Sequence, residues 1–308
     1  MSRLSSRARF VLRTPRTHGA SLRGACDGAA GAGAGVEDAG KATMSSVDEV
    51  RATSWAHLHE LLFEGSWHEP LRRFRSNFAF RGDGDADNDL RTSLIRLGGD
   101  YASVETHLLR AFRKYASVSS FPDDSLWTWL ALAKHHGLPT RLLDWTYSPY
   151  VALHFVTHEP QKTDRDGAIW LVDFVATNRL LPDAMRRPLE REGSNAMTSE
   201  LLAAATPTLR DLDALGRDFV VFFEPPALDA RIVNQYALFS FMGAADARLD
   251  EWLASHGELA RRVLVPAELK WEVRDKLDQA NITERVLFPG LDGLSAWLRR
   301  YFSPRDAG

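Results

Sequence analysis

The stretch that decides the fold runs from residue 135 to residue 149 and reads HHGLPTRLLDWTYSP. The residues before it, 125–136 (SLWTWLALAKHH), predict a helix that Gly137 ends, with Pro139 close behind. A second helix is expected to begin at Ser148-Pro149, because serine is a good N-cap and proline is preferred at the first helical position. The segment between the two helices is therefore predicted to be a loop.

This loop concentrates polar and aromatic side chains, and such loops serve ligands more often than packing. It holds two histidines, an arginine, an aspartate, a tryptophan and several hydroxyls. A simpler interpretation stays open for each of them: Arg141 and Asp144 pair with each other, Trp145 belongs to the core, and Ser148 is only a cap. For Trp127 and Trp129 in the preceding helix, the sequence leaves open whether they are core or pocket wall.

Outward from this stretch, the pattern predicts a mixed α+β domain with a small central β-sheet flanked by helices. A strand at 76–80 is expected to be broken by Arg81-Gly82-Asp83-Gly84. The polar, alanine-rich residues 178–216 predict a helical insertion over the core. The remaining predicted helices are 47–63, 101–118, 267–280 and 292–302, and the remaining predicted strands are 168–173, 219–223 and 262–265.

Composition excludes several classes of protein. The 308 residues carry 38 Lys and Arg against 41 Asp and Glu, so the basic excess of a dedicated DNA-binding protein is missing. A single cysteine, Cys26, excludes an intramolecular disulfide framework and any multi-cysteine metal site. No apolar run is long enough to cross a bilayer. These features predict a soluble, cytoplasmic protein that has no membrane partner.

The first 43 residues differ from the rest of the chain. They contain six Arg and one Lys against three acids, no Trp, and the run GAAGAGAG at 28–35. Such a segment buries too little apolar surface to offset its ordering entropy, so we expect a disordered tail before a domain spanning 44–308. A transit peptide and an over-extended start before Met44 are the two alternatives for its origin.

Two further motifs carry chemistry. In Phe80-Arg81-Gly82, an arginine at the end of a hydrophobic strand places a permanent cation where glycine lets backbone approach a ligand. The alternative is a surface arginine in a turn. In the run 231–239 (RIVNQYALF), Asn234 and Gln235 offer amides to a polar ligand, or they are structural.

Together these motifs resemble the FRG domain family, which is named for its Phe/Tyr-Arg-Gly motif and is largely bacterial. The resemblance covers roughly residues 50–303. One departure is that the family usually has glycine where this chain has Ala237, so a positive φ there would be strained. The matching segments are 80–82, 135–145, 148–149, 152–155, Arg231 with Asn234-Gln235 and Phe239, and 287–294.

The order of the motifs is also similar, more loosely, to that of ADP-ribosyltransferases of the Arg-Ser-Glu type. This resemblance implies NAD as the substrate, an ADP-ribosyltransferase-like fold, and transferase or NAD glycohydrolase activity. Gln235 stands where the family has glutamate, so Asp144 or Glu224 would have to supply the negative charge. The resemblance implies Arg81, Ser148 and Gln235 as catalytic residues, and Arg81, His136, Thr140, Arg141, Asp144, Trp145, Thr146, Tyr147 and Asn234 as cofactor-binding residues.

Two other functions remain open. One is a non-catalytic module that binds a nucleotide or nucleic acid, which the missing glutamate favours. The other is a metal-dependent phosphodiesterase that uses Asp144 and the histidine pair. His154 and His158 have the spacing of a zinc helix but lack the acidic residue and third ligand, so we predict no metal site. The partner is expected to be a nucleotide or small molecule, and the acceptor of any ADP-ribose is left open between protein, nucleic acid and water.

Overall fold

The computed structural model describes residues 47–116 and 124–304, and the predicted tail lies outside these residues. The described residues form ten strands: β1 (Asp48–Arg51), β2 (Trp67–His68), β3 (Arg73–Phe74), β4 (Phe78–Asp83), β5 (Leu143–Thr146), β6 (Gly167–Asp173), β7 (Met197–Thr198), β8 (Val220–Glu224), β9 (Ala237–Met242) and β10 (Ala260–Val265).

The same residues form fourteen α-helices, several of them short. They are α1 (Trp55–Phe63), α2 (Ser93–Leu97), α3 (Tyr101–Tyr115), α4 (Leu126–His135), α5 (Pro149–Thr157), α6 (Phe174–Thr177), α7 (Asp183–Glu192), α8 (Ser199–Ala205), α9 (Leu209–Asp213), α10 (Ala230–Asn234), α11 (Leu249–Ala254), α12 (Ala267–Gln279), α13 (Glu284–Leu287) and α14 (Leu291–Phe302).

Eight of these strands form one mixed sheet in the order β1-β10-β6-β4-β5-β9-β8-β7. The two edge pairs are parallel and the inner pairs are antiparallel. Strands β2 and β3 form a separate hairpin. The predicted α+β class, with a sheet flanked by helices, is confirmed, although the sheet is larger than expected.

The sheet separates three hydrophobic clusters. Side chains alternate along each strand, so Trp170 and Phe222 enter the cluster on one face while Leu171 and Phe223 enter clusters on the other. On this second face, one cluster lies under β10, β6 and β4, and the other lies under β9 and β8 together with Leu142, which precedes β5. The boundary between these two clusters coincides with the junction of β4 and β5.

The helices on either side of the 135–149 stretch form as their caps predict. The Ser125 hydroxyl accepts from the backbone N–H of Thr128, and the Ser148 hydroxyl accepts from that of Val151. Helix α4 ends at His135, and Gly137, just beyond its cap, has a φ of +83°, which suits glycine. Both tryptophans of α4 are buried in the core, which resolves the choice between core and pocket wall.

Three local predictions are wrong. Residues 48–51 form strand β1 rather than the start of a helix, because the Ser54 cap begins α1 later and the preceding backbone pairs with β10. Strand β4 does not break at Arg81-Gly82 but continues to Asp83, paired along its length with β6. Residues 143–146 are strand β5 rather than loop, because β9 supplies their hydrogen bonds.

Candidate functional site

A cleft opens in the middle of the sheet, where β4 and β5 diverge. The two strands share a single residue pair, Phe80 with Thr146, so beyond it their backbones separate. The resulting space, which we call the central cleft, has a volume of about 660 Å³, within the range of small-molecule sites. Its walls come from β4, β5, the end of α4, the end of α5 and the segment around α10.

Gly82 is required by the packing of α5 against β4. A Cβ atom on Gly82 would lie 1.9 Å from the backbone oxygen of Ala152, so no other residue fits without moving the helix. The glycine of the Phe-Arg-Gly motif therefore acts through close backbone approach, and not through a turn. With α5 held this close, the neighbouring Arg81 lies at the cleft wall.

Arg81, Asp144 and Lys134 form a charged group in the cleft. Arg81 Nη1 donates to the backbone oxygen of Asp144 at 2.8 Å and lies 3.9 Å from its carboxylate. Lys134 Nζ lies 2.6 Å from Asp144 Oδ2. The other guanidinium nitrogens of Arg81 have no partner within the described residues, so they can bind a ligand.

The Asp144 carboxylate is ionised at neutral pH. Desolvation in the cleft would raise its pKa, but the charges of Lys134 and Arg81 and the hydrogen bond from Lys134 outweigh it, so the pKa is lowered. The side chain keeps 56% of its surface exposed, and it lines the cleft. It is therefore a fixed negative charge that a ligand can reach.

Further cations and histidines line the cleft. Arg231 contacts the backbone oxygen of His135 at 3.4 Å and lies 4.9 Å from the ring centre of Phe288. Lys162 pairs with Glu159 at 2.9 Å. Together with Arg81 and Lys134 these side chains give the cleft four cations against three carboxylates, Asp83, Asp144 and Glu159. Lys134 and Lys162 are paired with two of these carboxylates, so Arg81 and Arg231 are the cations best placed for a phosphorylated ligand.

His135 is oriented by Asp229. Its Nε2 lies 2.5 Å from the Asp229 carboxylate. Burial lowers the pKa of His135, and the attraction of Asp229 offsets this only in part. The imidazole is therefore neutral at pH 7, with its orientation set by the carboxylate.

Six of the residues named from sequence line the central cleft: Arg81, His136, Asp144, Trp145, Thr146 and Gln235. Thr146 and Gln235 also bind backbone oxygens. The Thr146 hydroxyl donates to the Gln235 backbone oxygen at 2.8 Å, and the Gln235 amide donates to the Leu287 oxygen at 3.0 Å. The ring of Trp145 is 3% exposed and its Nε1 donates to Ser240, so we assign this ring to the core.

The other five do not line the cleft. Thr140 is buried against Ser93, and Ser148 caps α5. Arg141 is 3% exposed and pairs with Glu105 and Asp213, so the alternative in which it pairs with Asp144 is wrong. We therefore assign Arg141 to the core instead of to a ligand.

Tyr147 and Asn234 likewise have partners elsewhere. The Tyr147 hydroxyl donates to Glu224 at 2.8 Å, and burial together with this carboxylate raises the pKa of Tyr147. This contact also occupies Glu224, one of the two carboxylates considered as replacements for the missing glutamate, and Glu224 does not line the cleft. The Asn234 amide donates to the Val286 backbone oxygen at 2.7 Å.

The catalytic and cofactor-binding residues named from the sequence do not include several cleft residues, namely Lys134, His135, His158, Glu159, Lys162 and Arg231. Of these, His135 enters only the phosphodiesterase alternative, His158 only the comparison with a zinc helix, and Arg231 only the third motif. Lys134 and His135 lie in the last turn of α4, next to residues that were chosen, so their position offered a signal. His158, Glu159 and Lys162 follow α5, and only the packing of α5 on β4 brings them to the cleft.

In the 231–239 run, the residue with a positive φ is the one before Ala237, the position where the family usually has glycine. Tyr236 has a φ of +50°, and Ala237 is an ordinary strand residue at the start of β9. Alanine at this position is therefore not strained.

The described residues hold neither a cluster of metal ligands nor a membrane-spanning helix. Within 47–116 and 124–304, no three His, Cys, Asp or Glu side chains are grouped so as to hold a metal ion. No helix in the same part of the chain is both long and apolar enough to cross a membrane.

Comparison with known families places the motifs in context. Neither the curated proteins nor the solved structures give a match to the chain. The FRG domain family matches residues 76–165, which include Arg81 and the whole 135–149 stretch, whereas the 231–239 motif lies beyond the match. On this match, the chain contains an FRG domain at residues 76–165.

Proposed function

We propose that the central cleft binds NAD and cleaves the bond between its nicotinamide and ribose. The observation that carries the proposal is the placement of Arg81 and an ionised Asp144 side by side in a cleft that four cations help to line. The guanidinium suits the diphosphate, because its planar fork matches phosphate oxygens. Lys134, Lys162 and Arg231 add to the attraction for this group.

Asp144 supplies the negative charge that Gln235 lacks. When the glycosidic bond breaks, nicotinamide leaves with the bonding electrons and the ribose carbon gains positive character. A carboxylate that is already ionised stabilises this charge electrostatically. Water or another acceptor then adds to the same carbon and loses a proton, which gives free or transferred ADP-ribose.

A second candidate is a module that binds the nucleotide without turnover. It is favoured by the contacts of Asp144, whose carboxylate already lies 2.6 Å from Lys134 and 3.9 Å from Arg81. A carboxylate neutralised in this way binds ribose hydroxyls but stabilises a developing cation less well.

The test follows nicotinamide release from NAD by proton NMR with the full chain, alongside the melting temperature with and without NAD. The variants are Arg81→Ala and Asp144→Asn. Arg187→Ala is the matched control, since Arg187 is 72% exposed on α7 and does not line the cleft. We expect release by the parent and the control, loss of both release and thermal shift in Arg81→Ala, and loss of release alone in Asp144→Asn.

A thermal shift without release, abolished by Arg81→Ala, would establish the binding module instead. If NAD produces neither release nor a shift, both candidates are wrong. The cleft would then be tested with oligonucleotides and with phosphodiesters in the presence of divalent cations, where loss of activity with a chelator would indicate the phosphodiesterase.

A further inference from the structure

A histidine–aspartate pair borders the central cleft and joins the end of α4 to the start of α10. His135 is the last residue of α4, and Asp229 is the N-cap of α10. His135 Nε2 lies 2.5 Å from Asp229 Oδ2, and the other oxygen of this carboxylate accepts from the backbone N–H of Ile232 at 3.0 Å. His135 lines the cleft, although only 8% of its side chain is exposed. The imidazole is therefore held in one orientation by a carboxylate that is itself fixed.

The contact with Asp229 decides which nitrogen of His135 carries the proton. Desolvation would raise the pKa of Asp229, but the hydrogen bonds from the Ile232 N–H and from His135 outweigh it, so the pKa is lowered and the carboxylate is ionised at neutral pH. An ionised carboxylate only accepts hydrogen bonds, so Nε2 is the protonated nitrogen of the neutral ring and Nδ1 carries the lone pair. Within the described residues, Nδ1 has no hydrogen-bond partner, and it is not fully buried. It is therefore open to a proton from a molecule bound in the cleft.

The pair lies at the same end of the cleft as Asp144. Lys134, the residue before His135, binds the Asp144 carboxylate at 2.6 Å. Arg231 contacts the backbone oxygen of His135 at 3.4 Å, and its charge also attracts the Asp144 carboxylate. A ribose held at Asp144 therefore lies at the end of the cleft that His135 lines.

We infer that His135 is the general base that takes the proton of the incoming acceptor, with Asp229 as its positioning residue. This inference rests on the proposed cleavage of NAD, in which the acceptor must lose a proton. Nicotinamide leaves with the electrons of the C–N bond, and the oxygen of water forms the new bond to the ribose carbon. The proton of that water goes to Nδ1, and Asp229 stabilises the imidazolium that results. The proton then leaves to solvent, which returns the ring to its neutral form.

The charges around the ring suit this role. Desolvation lowers the pKa of His135, the contact with Asp229 raises it in part, and the charges of Arg231 and His136 lower it again. The net shift is downward from 6.5, so the ring is a free base at pH 7 and gains a proton only in more acidic solution. A reaction that needs this base therefore slows as the pH drops below 6.5.

The first experiment separates the two halves of the reaction in the full chain. Deuterated nicotinamide added to the assay enters NAD whenever the C–N bond breaks and forms again, whereas ADP-ribose appears only when water adds. His135→Gln keeps a nitrogen that can donate to Asp229, but its amide cannot take up a proton. We expect the formation of ADP-ribose to fall at least about 100-fold, while the entry of deuterated nicotinamide and the melting temperature stay at the level of the parent.

The second experiment measures the pH profile of ADP-ribose formation. The rate of the parent is expected to fall in acid with a midpoint below pH 6.5, and the residual activity of His135→Gln lacks this fall. Asp229→Asn keeps the cap of α10, since asparagine is a good N-cap, but it removes the charge that raises the pKa of His135. Its midpoint therefore moves to lower pH, which a purely structural role of Asp229 would not produce. His107→Gln is the matched control and leaves both measurements unchanged, since His107 is exposed on α3 and does not line the cleft.

Three outcomes overturn the inference. If the parent and His135→Gln form ADP-ribose at the same rate, His135 is not the base, and the proposed function stands. If His135→Gln loses ADP-ribose formation and the entry of deuterated nicotinamide equally, the ring acts in binding or in the first step. If the parent neither releases nicotinamide nor takes it up into NAD, the proposed function and this inference are both wrong.

Discussion

Replacing Glu105 with alanine is expected to destabilise the protein strongly, because it leaves Arg141 buried without its main partner. Glu105 is 1% exposed and Arg141 3% exposed. Glu105 accepts from the backbone N–H and the Nε of Arg141 at 3.1 and 2.8 Å, and Arg141 Nη2 lies 2.7 Å from the same carboxylate. The substitution therefore removes three contacts at once.

The magnitude follows from this burial. Removing one partner of a buried ion pair costs about 3–5 kcal/mol, since the remaining charge is desolvated and uncompensated. Arg141 keeps its contact with Asp213 at 3.1 Å, so we expect the lower end, about 3 kcal/mol. For a domain of this size, that corresponds to a fall in melting temperature of roughly 6–12 °C.

The assay is thermal and urea denaturation of the full chain, compared with Asp213→Ala as the control. Asp213 is 51% exposed, so its loss should cost less than about 1 kcal/mol. The double variant Glu105→Leu/Arg141→Met, which replaces the pair by apolar side chains, should recover much of the lost stability. Equal small shifts for Glu105→Ala and Asp213→Ala would refute the reasoning.

Three further predictions follow from single contacts. Gly82→Ala should destabilise the protein by about 3 kcal/mol, because the new methyl group meets the α5 backbone. Gly84→Ala is the control: its methyl group would lie 3.1 Å from Lys162 Cδ, in a flexible side chain, and 3.5 Å from the Val156 oxygen, which is ordinary contact, so it should cost much less in urea denaturation. Thr146→Val should cost about 1 kcal/mol by the same assay, since it removes the hydrogen-bond partner of two partly buried backbone groups, the Gln235 oxygen and the Ser148 N–H. Burial and the charge of Arg274 hold the pKa of His154 well below 6.5, so below that pH the unfolded chain binds a proton that the folded chain does not. The free energy of unfolding should therefore fall as the pH drops below 6.5, by up to about 1.4 kcal/mol per pH unit. If His154→Gln leaves the slope of this free energy against pH unchanged, the reasoning is wrong.

Local signals were sufficient for the helices around the site. Ser125, Ser148 and Gly137 mark the ends of α4 and α5 through hydrogen bonds and dihedral angles within a few residues, so their sequence neighbourhood alone determines them. The buried strands β6 and β8 are likewise evident, because both of their faces are apolar and no other short element explains such a run. The Phe-Arg-Gly motif and the 135–149 stretch then identified the FRG domain.

The tertiary structure decided what depends on partners distant in sequence. Residues 48–51 became a strand by pairing with β10 more than 200 residues later, and 143–146 by pairing with β9, and neither pairing leaves a mark in the local pattern. The sequence alone could not show that Arg141 belongs to the core while Arg81 lines the cleft. Arg141 is bound by the buried carboxylate of Glu105, 36 residues earlier in the chain, whereas Arg81 faces the open cleft. The cleft exists because β4 and β5 share one residue pair and then diverge, which is a property of the whole sheet and of no single segment.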